Sequence, residues 1–284
     1  MEKIGFIVDS TCYLPEKYIK EHKIQVVSLN VIDGDETLKE LEIDNDFVFK
    51  RQDEKARLTT SQPSPSEFVT AYEEAFKAGN TKVLVLTIGK GLSGTYQSAI
   101  LAKNMMKNPD DIYVFDSDNA AYGTELLAME VASMIKANKS FEQIIERMNS
   151  LFGKTSLMFT VENLFSLQKG GRLSKAQAMI GTVLKVKPVI KIVEGKLKLY
   201  HKERTHKKLH QFFIDEMKND PNNTGKAKLH IRLIQRDSLE NLEVVEAMVK
   251  ENFKNAVITT QDYLGPVFSI HVGPKGFGLC WFFE

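Results

Sequence analysis

Short apolar runs recur along the 284-residue chain, each closed by a polar or glycine-containing turn and followed by a stretch with helical spacing. Ile4-Gly5-Phe6-Ile7-Val8, ended by Asp9-Ser10-Thr11, reads as a buried strand and its polar turn. A helix is predicted over residues 14–22, with Pro15 in the first turn where a missing N–H costs nothing. A second strand is predicted over 24–31, then a charged surface excursion over 33–57 with a short helix near 44–50. Ser64 and Glu67 have capping-box spacing and Pro65 falls at the first helical position, so a helix over 65–78 would bury Phe68, Tyr72, Ala75 and Phe76. A strong strand follows over 82–88, a glycine-rich turn over 89–94, a helix over 95–106, a strand over 111–115 ended by Asp116-Ser117, and a helix over 122–137. Strand and helix in this alternation imply a parallel sheet with covering helices. Its polar turns gather at the carboxyl edge, where such sheets bind ligands.

The rhythm changes near residue 155. A strand over 157–161 leads to a helical stretch carrying Gly170-Gly171-Arg172-Leu173-Ser174. Strand-like runs over 188–193 and 196–200 are joined by Glu194-Gly195, which reads as a tight hairpin. A helix over 205–217, a strand over 229–235, a helix over 238–253 and a strand over 256–260 follow. Val267 to His271 reads as an apolar strand before a Gly-Pro turn, and the chain closes on Leu279-Cys280-Trp281-Phe282-Phe283. The expected fold is α/β with two domains: a parallel, Rossmann-like sheet domain over 1–155 and a second α/β domain with a mixed sheet over 156–284.

Composition narrows the function classes. Lys and Arg number 38 against 37 Asp and Glu, which argues against a dedicated nucleic-acid or anionic-membrane binder. The two cysteines, Cys12 and Cys280, form neither a disulfide framework nor a zinc motif. Asp9 interrupts the first apolar run too early for a signal-peptide core, and no apolar run reaches the roughly 20 residues that span a bilayer. A cytoplasmic location is expected.

Several motifs carry candidate chemistry. Gly89-x-Gly91-x-x-Gly94 between a strand and a helix, with Asp116 after the next strand, matches the dinucleotide fingerprint. It lies on roughly the third strand rather than the first and Lys90 and Ser93 fill its interior, so a tight packing turn is the better reading. Ser93, Gly94 and Thr95 also stand at a helix amino terminus, where free N–H groups favour an anion; Thr60 and Ser61 precede another. Two such turns on one sheet edge suit a carboxylate or a phosphate without a metal. His271 beside a tight turn is a candidate contact for the same anion. His206 and His210 have metal-compatible spacing but lack a neighbouring acid, and read as a solvated basic face. No Gly-x-Ser-x-Gly elbow is present. With 17 Phe and 10 Met, the aromatic carboxyl-terminal segment supplies more apolar area than a short strand needs; composition alone favours ordinary core, though Met and Phe would also line a pocket for a long apolar ligand.

Taken in order, Val8-Asp9-Ser10-Thr11, Thr60-Ser61-Gln62-Pro63-Ser64, Gly91-Leu92-Ser93-Gly94-Thr95-Tyr96-Gln97-Ser98-Ala99, Asp116-Ser117, Lys169 to Ser174, Lys187-Pro188-Val189 and His271 before Gly273-Pro274 resemble the DegV family of bacterial fatty-acid-binding proteins over essentially the whole chain. The resemblance implies a long acyl chain buried in a two-domain α/β protein, with Thr60, Ser93 and His271 at the fatty-acid carboxylate. Ser61 and Gly94 fall beside them as further head-group contacts. Arg172 and Arg204 match arginines near the ligand mouth and the partner-facing surface. The resemblance also implies a carrier with no catalytic machinery or cofactor of its own, which presents the carboxylate to an ATP-dependent fatty-acid kinase that makes the acyl phosphate. Transient membrane contact would serve lipid exchange. The family usually continues the histidine as His-Thr-Gly-Pro-Gly, whereas Val272 and Lys275 stand here. The residues by themselves leave two other readings open: a dinucleotide-dependent oxidoreductase and a small-anion module.

Overall fold

A strand that reads as an unbroken apolar run needs cover on both faces, and the computed structural model supplies it. The structure describes residues 2–162, 164–181, 186–236, 238–261, 264–273 and 275–284. The chain divides into two units, residues 1–152 with 265–267, and residues 153–264 with 268–284.

The first unit runs β1 (Ile4–Asp9), α1 (Glu16–His22), β2 (Gln25–Val27), β3 (Asn30–Asp33), β4 (Glu36–Lys39), α2 (Asn45–Asp53), β5 (Leu58–Ser61), α3 (Pro65–Lys77), β6 (Lys82–Thr87), α4 (Thr95–Met105), β7 (Ile112–Asp116), α5 (Tyr122–Lys136) and α6 (Phe141–Leu151). Strands β2, β1, β6 and β7 form a parallel sheet in that order. Successive residues of the two central strands alternate between two apolar layers. Ile7, Val83 and Val85 pack with Phe68, Tyr72, Ala99 and Ala102 from α3 and α4. Phe6, Val8, Leu84 and Leu86 pack with Leu127, Val131, Ile144 and Met148 from α5 and α6. Both faces are buried, so β1 and β6 show no polar alternation. A separate antiparallel sheet has the order β4-β3-β5.

The second unit runs β8 (Ser156–Val161), α7 (Phe165–Lys169), α8 (Lys175–Gly181), β9 (Lys187–Val193), β10 (Lys196–Glu203), α9 (His206–Lys218), β11 (Leu229–Arg236), α10 (Leu239–Asn252), β12 (Val257–Gln261), α11 (Pro266–Val272, whose first two residues belong to the first unit) and β13 (Gly276–Phe283). Its six strands are ordered β10-β9-β8-β13-β11-β12, with only the β11–β12 pair parallel. Glu194 and Gly195 both take positive φ, as a two-residue hairpin turn requires. One sheet face packs Met158, Ile231, Leu233 and Trp281 with Phe213, Met217 and Val245 of α9 and α10. On the other face Phe159, Val161 and Ile190 meet Leu164, Leu167, Leu173 and Ala178.

Five expectations need correction. The run 24–31 is two strands in different sheets, because the backbone at Leu29 is taken by other partners: its N–H donates to Ser10 Oγ and its carbonyl accepts from the Glu40 N–H. The excursion 33–57 contains strand β4 as well as a helix, and α6 was not anticipated. Residues 170–174 are not helical. Helix α7 ends at Gly170, Gly171 takes φ +76, and the Arg172 and Leu173 N–H groups turn back to the Leu167 carbonyl. Val267 to His271 lie in helix α11, not a strand; Pro266 opens it and Gly273, at φ +87, closes it. His206 is exposed, but His210 is buried and bonded to Asn241 Oδ1 at 3.0 Å rather than solvated. Pro274, part of the expected Gly-Pro turn, lies outside the described residues.

Gly276 fits the centre of the second sheet only because it lacks a side chain. A Cβ there would stand 2.3 Å from the Thr160 carbonyl oxygen of the neighbouring strand. Gly276→Ala is expected to destabilise the second unit by about 2 kcal/mol. The single tryptophan, Trp281, lies in this unit, so urea unfolding followed by its fluorescence checks the value directly.

Candidate functional site

In the first sheet the chain passes from β1 to β2 on one side and reaches β6 on the other, so the strand order reverses between β1 and β6. Loops leaving the carboxyl ends of such a pair diverge and open a crevice. Asp9, at the end of β1, closes its floor. Its Oδ1 accepts from the Thr11 N–H at 2.9 Å and from the Thr11 hydroxyl, and its Oδ2 accepts from the Ile88 N–H at 2.6 Å. Burial still pushes the Asp9 carboxyl above its ordinary value, outweighing those three donors.

The Ser93 turn leaves β6 at this crevice and enters α4. Ser93 Oγ is 2.9 Å from Thr95 Oγ1 and accepts from the Thr95 N–H at 3.3 Å. Ser93 is half-buried and Gly94 exposed. Thr60 and Ser61, both half-buried, end β5, with Thr60 opposite Val31. The two turns are neighbours: a Cβ on Gly94 would lie 3.1 Å from the Gln62 side chain. Thus the structure brings Thr60-Ser61 and Ser93-Gly94 to one part of the first unit.

The dinucleotide pattern is used differently. Asp116 Oδ1 accepts from the Lys90 N–H at 2.9 Å and the Asp118 N–H at 3.0 Å, and Lys90 Nζ lies 3.4 Å from Oδ2. A Cβ on Gly89 would sit 3.1 Å from the backbone of Asn119. Glycine and acid here pack two loops together, and Asp116 Oδ1 is committed to backbone N–H groups of these loops.

In the second unit, Arg172 and His271 converge on the bend after α7. Arg172 Nη1 donates to the Gly170 carbonyl at 2.6 Å. A Cβ on Gly170 would lie 2.3 Å from His271 Nδ1, so only glycine admits the ring at this distance. That nitrogen is shut off from solvent. Burial, with the Arg172 charge, lowers the His271 pKa to about 4, so the ring is neutral at pH 7. Val272 packs into the apolar cluster of α7 and α8, and the Lys275 carbonyl accepts from the Glu162 N–H at 3.2 Å while its side chain is exposed. Arg204 lies elsewhere, on the exposed turn between β10 and α9, near exposed Lys207 and Lys208. Among the described residues, no group of three or more His, Cys, Asp or Glu is placed to hold a metal ion, and no helix is long and apolar enough to cross a membrane.

Glu40 was hidden in a stretch that reads as charged surface, yet it is buried. Its Oε1 accepts from the Tyr13 hydroxyl at 2.9 Å and the Val267 N–H at 3.0 Å, and its Oε2 from the Ser10 hydroxyl. Burial, opposed by these bonds and aided by nearby Asp9, raises its pKa to about 7. Nothing in one sequence marks this residue from its acidic neighbours Glu36 and Glu42.

The first unit is a doubly wound α/β unit that carries hydroxyl-bearing turns at its strand-order reversal. The chain belongs to the DegV family: the model described as "Uncharacterised protein, DegV family" matches residues 3–284. A DegV domain-containing protein of Listeria monocytogenes is 30% identical over 282 residues, covering 99% of this chain and 98% of its own. A DegV family protein from Thermus thermophilus, described by its fatty acid binding, superposes with TM-score 0.88 at 28% identity, covering 99% of this chain and 100% of that one. DegV of Bacillus subtilis, a fatty acid binding protein, superposes with TM-score 0.85 at 30% identity, with 100% of both chains covered.

The raised Glu40 pKa has a stability consequence. Between pH 4.5 and about 7 the folded chain holds a proton that the unfolded chain has lost, so stability falls as pH rises through that window and levels off above it. Glutamine keeps two acceptor contacts at its oxygen and donates to Ser10 Oγ, as the protonated acid does. Relative to wild type, Glu40→Gln should therefore gain stability between pH 5 and pH 8, by at most about 3 kcal/mol. Urea unfolding of both proteins at the two pH values measures it; equal differences at both would show that Glu40 titrates normally.

Proposed function

We propose that this chain binds a long-chain fatty acid and presents its carboxylate to an ATP-dependent kinase for acyl-phosphate formation. The observation that carries the reading is the adjacency of the Thr60-Ser61 and Ser93-Gly94 turns at the carboxyl edge of the first sheet. Hydroxyls and a helix amino terminus there suit a carboxylate, and the two related structures belong to proteins described as fatty acid binding. Thr60 and Ser93 act as head-group donors, with Ser61 and Gly94 beside them. His271, neutral at pH 7, contributes a hydrogen bond rather than a charge, and Arg172 holds its turn.

The tail supplies most of the affinity. Burying a methylene gains about 0.8 kcal/mol, so a sixteen-carbon chain gains on the order of 10 kcal/mol before ordering costs. Arg204 and its exposed lysine neighbours offer a basic surface for an acidic patch on the kinase. In this reading the chain is a cytoplasmic carrier that makes transient membrane contact to exchange lipid, needs no cofactor, and leaves phosphoryl transfer to its partner.

Native mass spectrometry followed by lipid extraction tests the reading. A stoichiometric mass increment resolving into one or a few fatty acids is expected; a clean mass unchanged by palmitate would overturn it. Ser93→Ala should leave the fold intact and lower the preference for palmitate over its methyl ester by about tenfold or more, since a hydrogen bond to a charged group is worth about 1.5–3 kcal/mol. An undiminished preference would remove Ser93 from the head-group site.

A further inference from the structure

We infer that Asn30, oriented by Lys39, is the positioning residue of the carboxylate turn: it fixes Ser61 and Gln62 so that Thr60 and the Ser93 turn stand ready for an anionic head group. This rests on the fatty-acid reading above and adds residues that the reading does not use.

Lys39 on β4, Asn30 on β3 and Ser61 on β5 are paired directly across the small sheet, so their side chains stand on one face. Asn30 is buried, and its amide is engaged at both ends. Its Oδ1 accepts from Lys39 Nζ at 2.8 Å, while its Nδ2 donates to Ser61 Oγ at 3.2 Å and to the Gln62 carbonyl at 3.3 Å. An ammonium group only donates, so Lys39 dictates that the amide oxygen faces it and the NH₂ faces the turn. Lys39 is itself paired with Glu67. That carboxylate also accepts from the Ser64 N–H at 2.7 Å, at the start of α3.

The turn is thereby held at two places by one short relay: Asn30 grips residues 61 and 62, and Glu67 grips Ser64. Thr60 is the next residue back along β5 and follows the backbone so fixed. Gln62, whose carbonyl Asn30 holds, also lies against Gly94, which carries the positioning to the second hydroxyl-bearing turn. Asp in place of Asn keeps the size but loses both N–H donors and sets a carboxylate against the Gln62 carbonyl, so it releases the turn more fully than alanine does.

The test measures affinity of the full chain for palmitate and for hexadecanol, each delivered from cyclodextrin, in wild type, Asn30→Ala, Asn30→Asp and Lys39→Met. The two ligands share a tail, so their affinity ratio reads head-group recognition, whereas a packing defect weakens both together. The ratio is expected to fall about tenfold in Asn30→Ala, as for loss of one to two hydrogen bonds, and further in Asn30→Asp. Lys39→Met touches neither Ser61 nor Gln62, yet should lower the ratio, because it releases the Asn30 amide and the Glu67 carboxylate together. An unchanged ratio in the Asn30 variants, or parallel loss of both ligands, overturns the inference while leaving the fatty-acid reading standing. A wild type that does not distinguish palmitate from hexadecanol overturns both.

Discussion

The carboxylate of Asp9 is the contact on which the crevice of the first unit depends. Where the strand order of a parallel sheet reverses, the loops leaving the two central strands separate, and their first N–H groups lose the partners that a continuing ladder would supply. Asp9 meets that demand with one side chain, tying the start of the loop after β1 to the start of the loop after β6. Its raised pKa is the sign that desolvation is strong there. The next residue extends the arrangement. Ser10 links Leu29 and Glu40, and Glu40 in turn receives the backbone of Val267. Two consecutive polar residues at one strand end thus hold Thr11, Ile88, Leu29 and Glu40.

The parallel sheet was readable from sequence because both of its layers impose the same rule. Strands buried on two faces are continuous apolar runs, and Pro65, Ser64 and Glu67 mark a helix start by local chemistry alone. The failures have physical reasons too. At Val267 to His271 a short apolar run carries no length to separate strand from helix, although Pro266 and Gly273 bracketed it as helical punctuation. At 24–31 the break comes from Ser10 and Glu40, distant in sequence, claiming the backbone of Leu29. Glu40 and Asn30 were illegible for the same reason: a polar residue's burial is decided by partners that one chain's pattern does not pair. Thr60, Ser61, Ser93 and Gly94 could be singled out because hydroxyls before a helix start are a local signal, and the structure sets their two turns side by side.

The bend after α7 follows a different logic. Gly170 and Gly171 let the chain turn where a side chain would collide with the His271 ring or resist a positive φ. Arg172 then places a fixed cation near an imidazole that burial already keeps from protonating. The two effects have one sign. A histidine so placed is held as a neutral hydrogen-bonding group through the physiological range, and the positive charge of the cluster resides on the arginine, whose own pKa burial lowers only from a very high starting value.

Neutral donors around a carboxylate also suit the chemistry proposed for it. A buried ion pair with arginine would be costly to form and costly to break, because either partner alone is stranded in low dielectric. A hydroxyl contributes far less per contact, and with a long tail it need not contribute more. Affinity then resides in the apolar contacts and discrimination in the head group, so the two can vary independently. In the reading proposed above, the Thr60 and Ser93 hydroxyls would hold the acid by hydrogen bonds and not by a salt bridge. A carboxylate so held would stay more available to a phosphoryl group than one locked in a bidentate guanidinium pair. On that proposal, a carrier that holds its lipid through the tail and surrenders the carboxylate to a second protein would be better served by this division than by a stronger grip on the charge.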